Sequence, residues 1–117
     1  MTTTIFQTTK DINGAIAVQL TDYKKQTKLA KALEEGDLTV TVDFVAELKV
    51  EDETGERAGF SSYVFVTTDN KHYVCSSANV YRKVVEKLVT SNNEPVTVTF
   101  AKRTSTKDES KTYFTLV

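Results

Sequence analysis

In 117 residues the chain has one cysteine, one histidine, one proline, four glycines and no tryptophan. A single cysteine, Cys75, excludes an internal disulfide. Together with the lone His72 it leaves too few soft ligands for a zinc centre, so neither a metal nor a cofactor is expected. The two also make a poor nucleophile–base pair, because alternation along one strand sends neighbouring side chains to opposite faces. Gly14, Gly36, Gly55 and Gly59 are scattered at turn-like positions, so there is no phosphate-cradling glycine loop. A Gly-x-Ser-x-Gly elbow and a metal-binding histidine pair are missing as well. The crowded acids Glu51, Asp52 and Glu53 sit in a polar loop, where solvation accounts for them better than acid–base chemistry. An enzyme is therefore not expected. No apolar run approaches the roughly 20 residues of a membrane span. Met1-Thr2-Thr3-Thr4 lacks the basic start and apolar block of a secretory signal, so a cytoplasmic, non-membrane protein is expected.

Hydrophobic residues make up 39% and charged residues 26%, the range of an ordinary globular chain. The length suits one domain with one core. A net charge of −1 predicts no overall attraction to polyanions, so any nucleic-acid binding must depend on where the charges lie.

The strongest pattern runs from Leu38 to Val50. Leu38, Val40, Val42, Phe44, Ala46, Leu48 and Val50 fill the even positions, polar residues fill most odd ones, and Val45 alone breaks the alternation. This predicts a long strand with one buried face, which must coil and serve two sheets. The polar segment "EDETGERAG", Glu51 to Gly59, reads as a hairpin loop. Strands are then expected at Tyr63–Thr67 and His72–Ser76 around an Asp69-Asn70-Lys71 turn. The first of these is apolar on both faces, Val64 and Val66 on one and Tyr63 and Phe65 on the other. Ser76 to Asn79 offer N-caps for a helix whose apolar stripe is Val80, Val84, Val85 and Leu88; Ser91-Asn92-Asn93 and Pro95 end it. Two more strands, Val96–Phe100 and Thr112–Leu116, flank the polar "AKRTSTKDES". The order strand, strand, strand, helix, strand, strand, with a long coiled first strand, resembles the OB-fold: a mainly β, five-stranded barrel with a helix between its third and fourth strands.

Residues 1–36 read as an N-terminal extension of this barrel, which occupies 37–117. A helix is expected over Thr21–Gly36, with Tyr23, Gln26, Leu29, Ala30 and Leu33 inward, Lys24, Lys25, Lys28 and Lys31 on the other side, and Gly36 as its stop. Before it, alternating Ile16, Val18 and Leu20, and more weakly Thr4 and Phe6, suggest one or two short strands linked by Asn13-Gly14.

OB barrels bind nucleic-acid strands across their second and third strands, where rings stack on bases and cations meet phosphates. The candidate rings are Tyr63, Phe65, Tyr73 and Tyr113. The candidate cations are Lys71, Lys102, Arg103, Lys107 and Lys111, with Arg57 nearby. Lys102 to Lys111 carries a local balance of +2 and Lys10 to Lys31 one of +3, whereas Glu51 to Arg57 carries −3. Phosphate contacts are therefore expected at the last hairpin and the N-terminal helix, away from the first hairpin. Each ring is equally compatible with a packing role, since strands favour aromatics in either setting.

The segments "YVFVTTDNKHYVCSS", "NVYRKVVEKL", "VTVTFAKRTS" and "KTYFTLV" together resemble the small single-stranded DNA-binding proteins of phage replication, over roughly Asp37 to Val117. The resemblance implies a protein that coats single-stranded DNA during phage replication in the host cytoplasm, with DNA on the barrel face against Tyr63, Phe65, Tyr73 and Tyr113. It departs from the pattern in lacking tryptophan and in closing on "TYFTLV" rather than an acidic tail, so tail-mediated recruitment is not expected. Self-association is left open. A competing expectation is a protein-interaction module, an inhibitor or adaptor, that docks a partner through Tyr63–Phe65 and the strand edges.

Overall fold

The computed structural model describes residues 2–22, 26–51, 54, 59–108 and 110–117. Its elements are β1 (Thr2–Thr8), α1 (Gly14–Thr21), β2 (Thr27–Lys28), α2 (Leu29–Ala32), β3 (Leu38–Glu51), β4 (Phe60–Thr67), β5 (His72–Cys75), α3 (Ala78–Thr90), β6 (Val96–Thr104) and β7 (Thr112–Leu116). They form one curled mixed sheet in the order β2-β5-β4-β3-β6-β7, with β1 also paired to β3. The sheet therefore has seven strands where the sequence suggested five. The two beyond those five are β1, which contains the weakly expected strand at Thr4 and Phe6, and the two-residue β2, which pairs in parallel with β5. Among the described residues the path ends at β2 and β7 without pairing that closes the sheet.

The long strand β3 organises the molecule. Fourteen residues at roughly 3.3 Å each would reach about 46 Å if straight, beyond each principal extent of the molecule, of which the largest is 38 Å. It bends at an irregularity between Val42 and Phe44, where its register with β4 shifts. An extra residue in one strand reverses which face the following side chains occupy. Accordingly Val42 and Val45 belong to one buried cluster, and Phe44, Ala46 and Leu48 to another. The even-position stripe thus serves two cores, and Val45, the residue that interrupts it, lines the inner one.

The same division explains the doubly apolar β4. Tyr63 and Phe65 enter the inner core with Val80, Val84 and Leu88 of α3 and Phe100 of β6. Val64 and Val66 enter the outer core, where Leu20 of α1 is fully buried and Ile5, Ile12 and Ile16 pack beside it. Ring contacts fix the inner layer: Tyr63 stacks on Tyr81 with centroids 4.4 Å apart, and Phe65 meets Phe100 at 5.0 Å. Helix α3 starts on a hydrogen bond from Val80 N to Ser77 Oγ. It ends where Asn92 and Asn93 take positive φ and Asn93 N donates to Leu88 O at 2.7 Å. That is the left-handed stop that asparagine adopts more readily than most residues.

The N-terminal expectations require correction. The alternation of Ile16, Val18 and Leu20 belongs to helix α1, in which Leu20 and Ile16, four apart, face the sheet and Val18 is 70% exposed. Asn13 is its N-cap rather than part of a turn, its side chain accepting from Ile16 N at 2.9 Å. The expected Thr21–Gly36 helix is instead the short β2 followed by the single turn of α2. Gln26 folds back, its amide nitrogen donating to Gln19 O at 2.6 Å and Asp22 O at 3.2 Å, which ends α1 and redirects the chain. Leu29 and Leu33 are buried as expected and Ala30 is exposed, but Gly36 is not the helix stop: α2 ends at Ala32 with Leu33 as its C-cap, and Gly36, at φ +131°, lies in the turn that leads to β3. Tyr23, Lys24, Lys25, Arg57 and most of the expected Glu51–Gly59 loop lie outside the described residues. No described helix is long and apolar enough to cross a membrane.

Candidate nucleic-acid interface

Three of the four rings expected to stack on bases are enclosed. Phe65 is fully buried, and Tyr63 and Tyr73 retain only 7% and 8% exposure. The reason is that Tyr63 and Phe65 turn to the inner face of β4, which α3 covers, while the outer face is taken up by Val64 and Val66 beneath α1. Tyr73 is held in the inner core with Leu29 and Leu33, which the β2–α2 segment lays beside β5. Of the four, Tyr113 alone is open, at 48% exposure.

Tyr113 lies on the β6–β7 hairpin. The register places Arg103 opposite Tyr113 and Lys102 opposite Phe114. Because successive strand residues point to opposite sides, each face of the hairpin carries one cation across from one ring. The connecting loop is closed by Ser105 N donating to Lys111 O at 2.9 Å and Lys111 N donating to Asp108 O at 3.0 Å. The Asp108 carboxylate accepts from Ser110 Oγ at 2.7 Å and Ser110 N at 3.0 Å. These bonds hold its carboxyl below the usual range. Lys102, Lys107 and Lys111 are all exposed, and none pairs with a carboxylate among the described residues. Arg103 differs, gripping Asp37 through both terminal nitrogens at 2.9 and 3.0 Å.

Beside the hairpin runs a groove of about 380 Å³ whose walls include Lys28, Phe60, Val74, Cys75 and Phe114. It joins the two ends of the curled sheet, since Lys28 and Val74 come from the β2–β5 end and Phe114 from β7. Phe60, 43% exposed, continues the outer stripe of β4 on the same face as Ser62, Val64 and Val66. The sequence reading missed Phe60 and Phe114 as site residues. The available signal was the apolar stripe of β4 extending back to Phe60, but where α1 stops covering that stripe is a tertiary fact. Cys75 is buried in the groove wall, and loss of water pushes its thiol up to about 11, so it is protonated at neutral pH.

Lys71 is not part of this constellation. It sits in the β4–β5 turn beside Asp69, 3.7 Å away, and lines a separate depression with Thr39, Thr41 and Thr97. Nearby, His72 Nδ1 lies 3.0 Å from Gln26 Oε1. Burial holds the imidazole below its ordinary value. Among the described residues no three His, Cys, Asp or Glu side chains gather as metal ligands. Phe6 is a further open ring, at a register shift in β1, with Lys49 Nζ 4.8 Å above it.

No family model, no curated protein and no solved structure matches the chain.

Proposed function

We propose that this protein is a non-enzymatic binder of single-stranded DNA, holding the strand along the β6–β7 hairpin and the adjoining groove, as a coating protein of phage replication would. The observation that carries the proposal is the hairpin itself: Tyr113 across from Arg103, Phe114 across from Lys102, and Lys107 and Lys111 in the loop beyond. Rings accept bases of any sequence by stacking, while lysines follow the phosphates, so this combination suits binding without sequence preference. Phe60 and Phe114 give the groove apolar surface for an unstacked base, with Lys28 at its wall. The curled sheet with α3 after β5 supports an OB-type barrel to which β1, α1 and β2 have been added. In that arrangement the added elements cover part of the sheet face, and the ligand is displaced toward the last hairpin.

A protein-docking module is the second reading, favoured by the burial of Tyr63, Phe65 and Tyr73 and by the net charge of −1. Titrating labelled oligothymidylate with wild type and Tyr113→Ala separates the two. DNA binding predicts a loss of about 1–3 kcal/mol in the variant with an unchanged melting temperature. Equal affinity of both proteins, or no binding by either, counts for the docking module.

A further inference from the structure

Of the cations on the β6–β7 hairpin, Arg103 is the one already occupied. Its two terminal nitrogens meet the two oxygens of Asp37 in a parallel pair, at 2.9 and 3.0 Å. The planar guanidinium offers this fork equally to a carboxylate or to two oxygens of a phosphate. Both side chains stand in solvent, 44% and 41% exposed, so partners can be exchanged without opening the core. Arg103 also lies across from Tyr113, the exposed ring on the same strand pair. A phosphate seated in the fork would bring its nucleotide beside that ring. Asp37 immediately precedes β3, whose Leu38 is paired to Phe100 of β6, so the carboxylate is presented from the start of the central strand.

We propose that Asp37 is an internal competitor for the phosphate position on Arg103, so that the hairpin engages DNA by exchanging a carboxylate for a phosphate, and Asp37 thereby sets the affinity. This rests on the single-strand-binding function proposed above. The plain alternative is that the pair only fastens the hairpin to the start of β3. The two differ in sign: removing a competitor tightens binding, whereas removing a fastener weakens it.

The test titrates labelled oligothymidylate at one fixed salt concentration with wild type, Asp37→Asn, Arg103→Gln and the double variant. Because the ion pair is exposed, its hold on Arg103 is weak, so Asp37→Asn should tighten binding by about two- to fivefold. Arg103→Gln should weaken binding, and the double variant should match Arg103→Gln alone. Unchanged or weaker binding by Asp37→Asn overturns the proposal, and a concurrent fall in its melting temperature identifies the fastener. If Asp37→Asn still tightens binding in the Arg103→Gln background, only its general charge is acting, which also overturns it. Binding by wild type with no gain in Asp37→Asn sinks the competitor alone. Absence of binding by all four proteins sinks the parent function with it.

Discussion

Phe65 and Tyr113 are both aromatic residues on strands, yet their surroundings assign them opposite consequences. Phe65 is fully buried against Phe100, so Phe65→Ala should cost about 3–5 kcal/mol of stability through lost contacts and a cavity. A variant that melts like wild type but fails to bind DNA would return Phe65 to the interface. His72 supplies a pH signature. Its imidazole titrates below the ordinary 6.5 because burial disfavours the charged form. The unfolded chain therefore binds the proton more readily, so stability is complete above about pH 6.5 and declines as the pH falls through the lowered native value. Asp37, Asp69 and Asp108, lowered from 3.8, contribute stability above that value and lose it only on further acidification. Melting curves between about pH 7.5 and 5.5 should thus fall for wild type and flatten in His72→Gln, with parallel slopes contradicting the assignment. None of these distinctions was legible in the sequence, where alternation shows that a ring has a face but not which face is covered.

At the scale of elements, the sequence carried residues 37–117 well and the first 36 residues poorly. The expected strand Thr112–Leu116 is found with those bounds, and Val80–Leu88 lies inside α3, because each has either one clear period or strong flanking caps. Helix α1 was hidden because Ile16, Val18 and Leu20 satisfy alternation, while Ile16 and Leu20 also satisfy the four-residue spacing of a helix. The deciding feature was the Asn13 cap. The Thr21–Gly36 segment failed for a different reason: its helix-forming residues are overridden by pairing of Thr27 and Lys28 with β5. Because α1 covers the outer core, Asn13→Ala should lower stability by about 1 kcal/mol, read as a shift in the denaturant midpoint. No shift would mean that the cap does not support the helix. In β3 the even-position stripe was visible and Val45 marked its interruption, but hydrophobicity alone did not show that side chains reverse their facing after Val42.

For the whole molecule, near-neutral charge and a basic hairpin are compatible because the sheet separates them. Lys102, Lys107 and Lys111 are gathered at one end of the β6–β7 pair and remain without carboxylate partners among the described residues. The basic character of this hairpin was legible in the sequence. Burial of three candidate rings was not, because it depends on which face of β4 and β5 turns toward the inner core with α3 and α2. The central claim is that this hairpin holds single-stranded DNA through a few phosphate contacts, and the dependence of oligothymidylate affinity on salt tests it most directly. Three or four neutralised phosphates predict a slope of log affinity against log salt of roughly −2 to −3, reduced by about 2 when Lys102, Lys107 and Lys111 are changed together to Gln. A flat salt response, or the same slope in the triple variant, would contradict it.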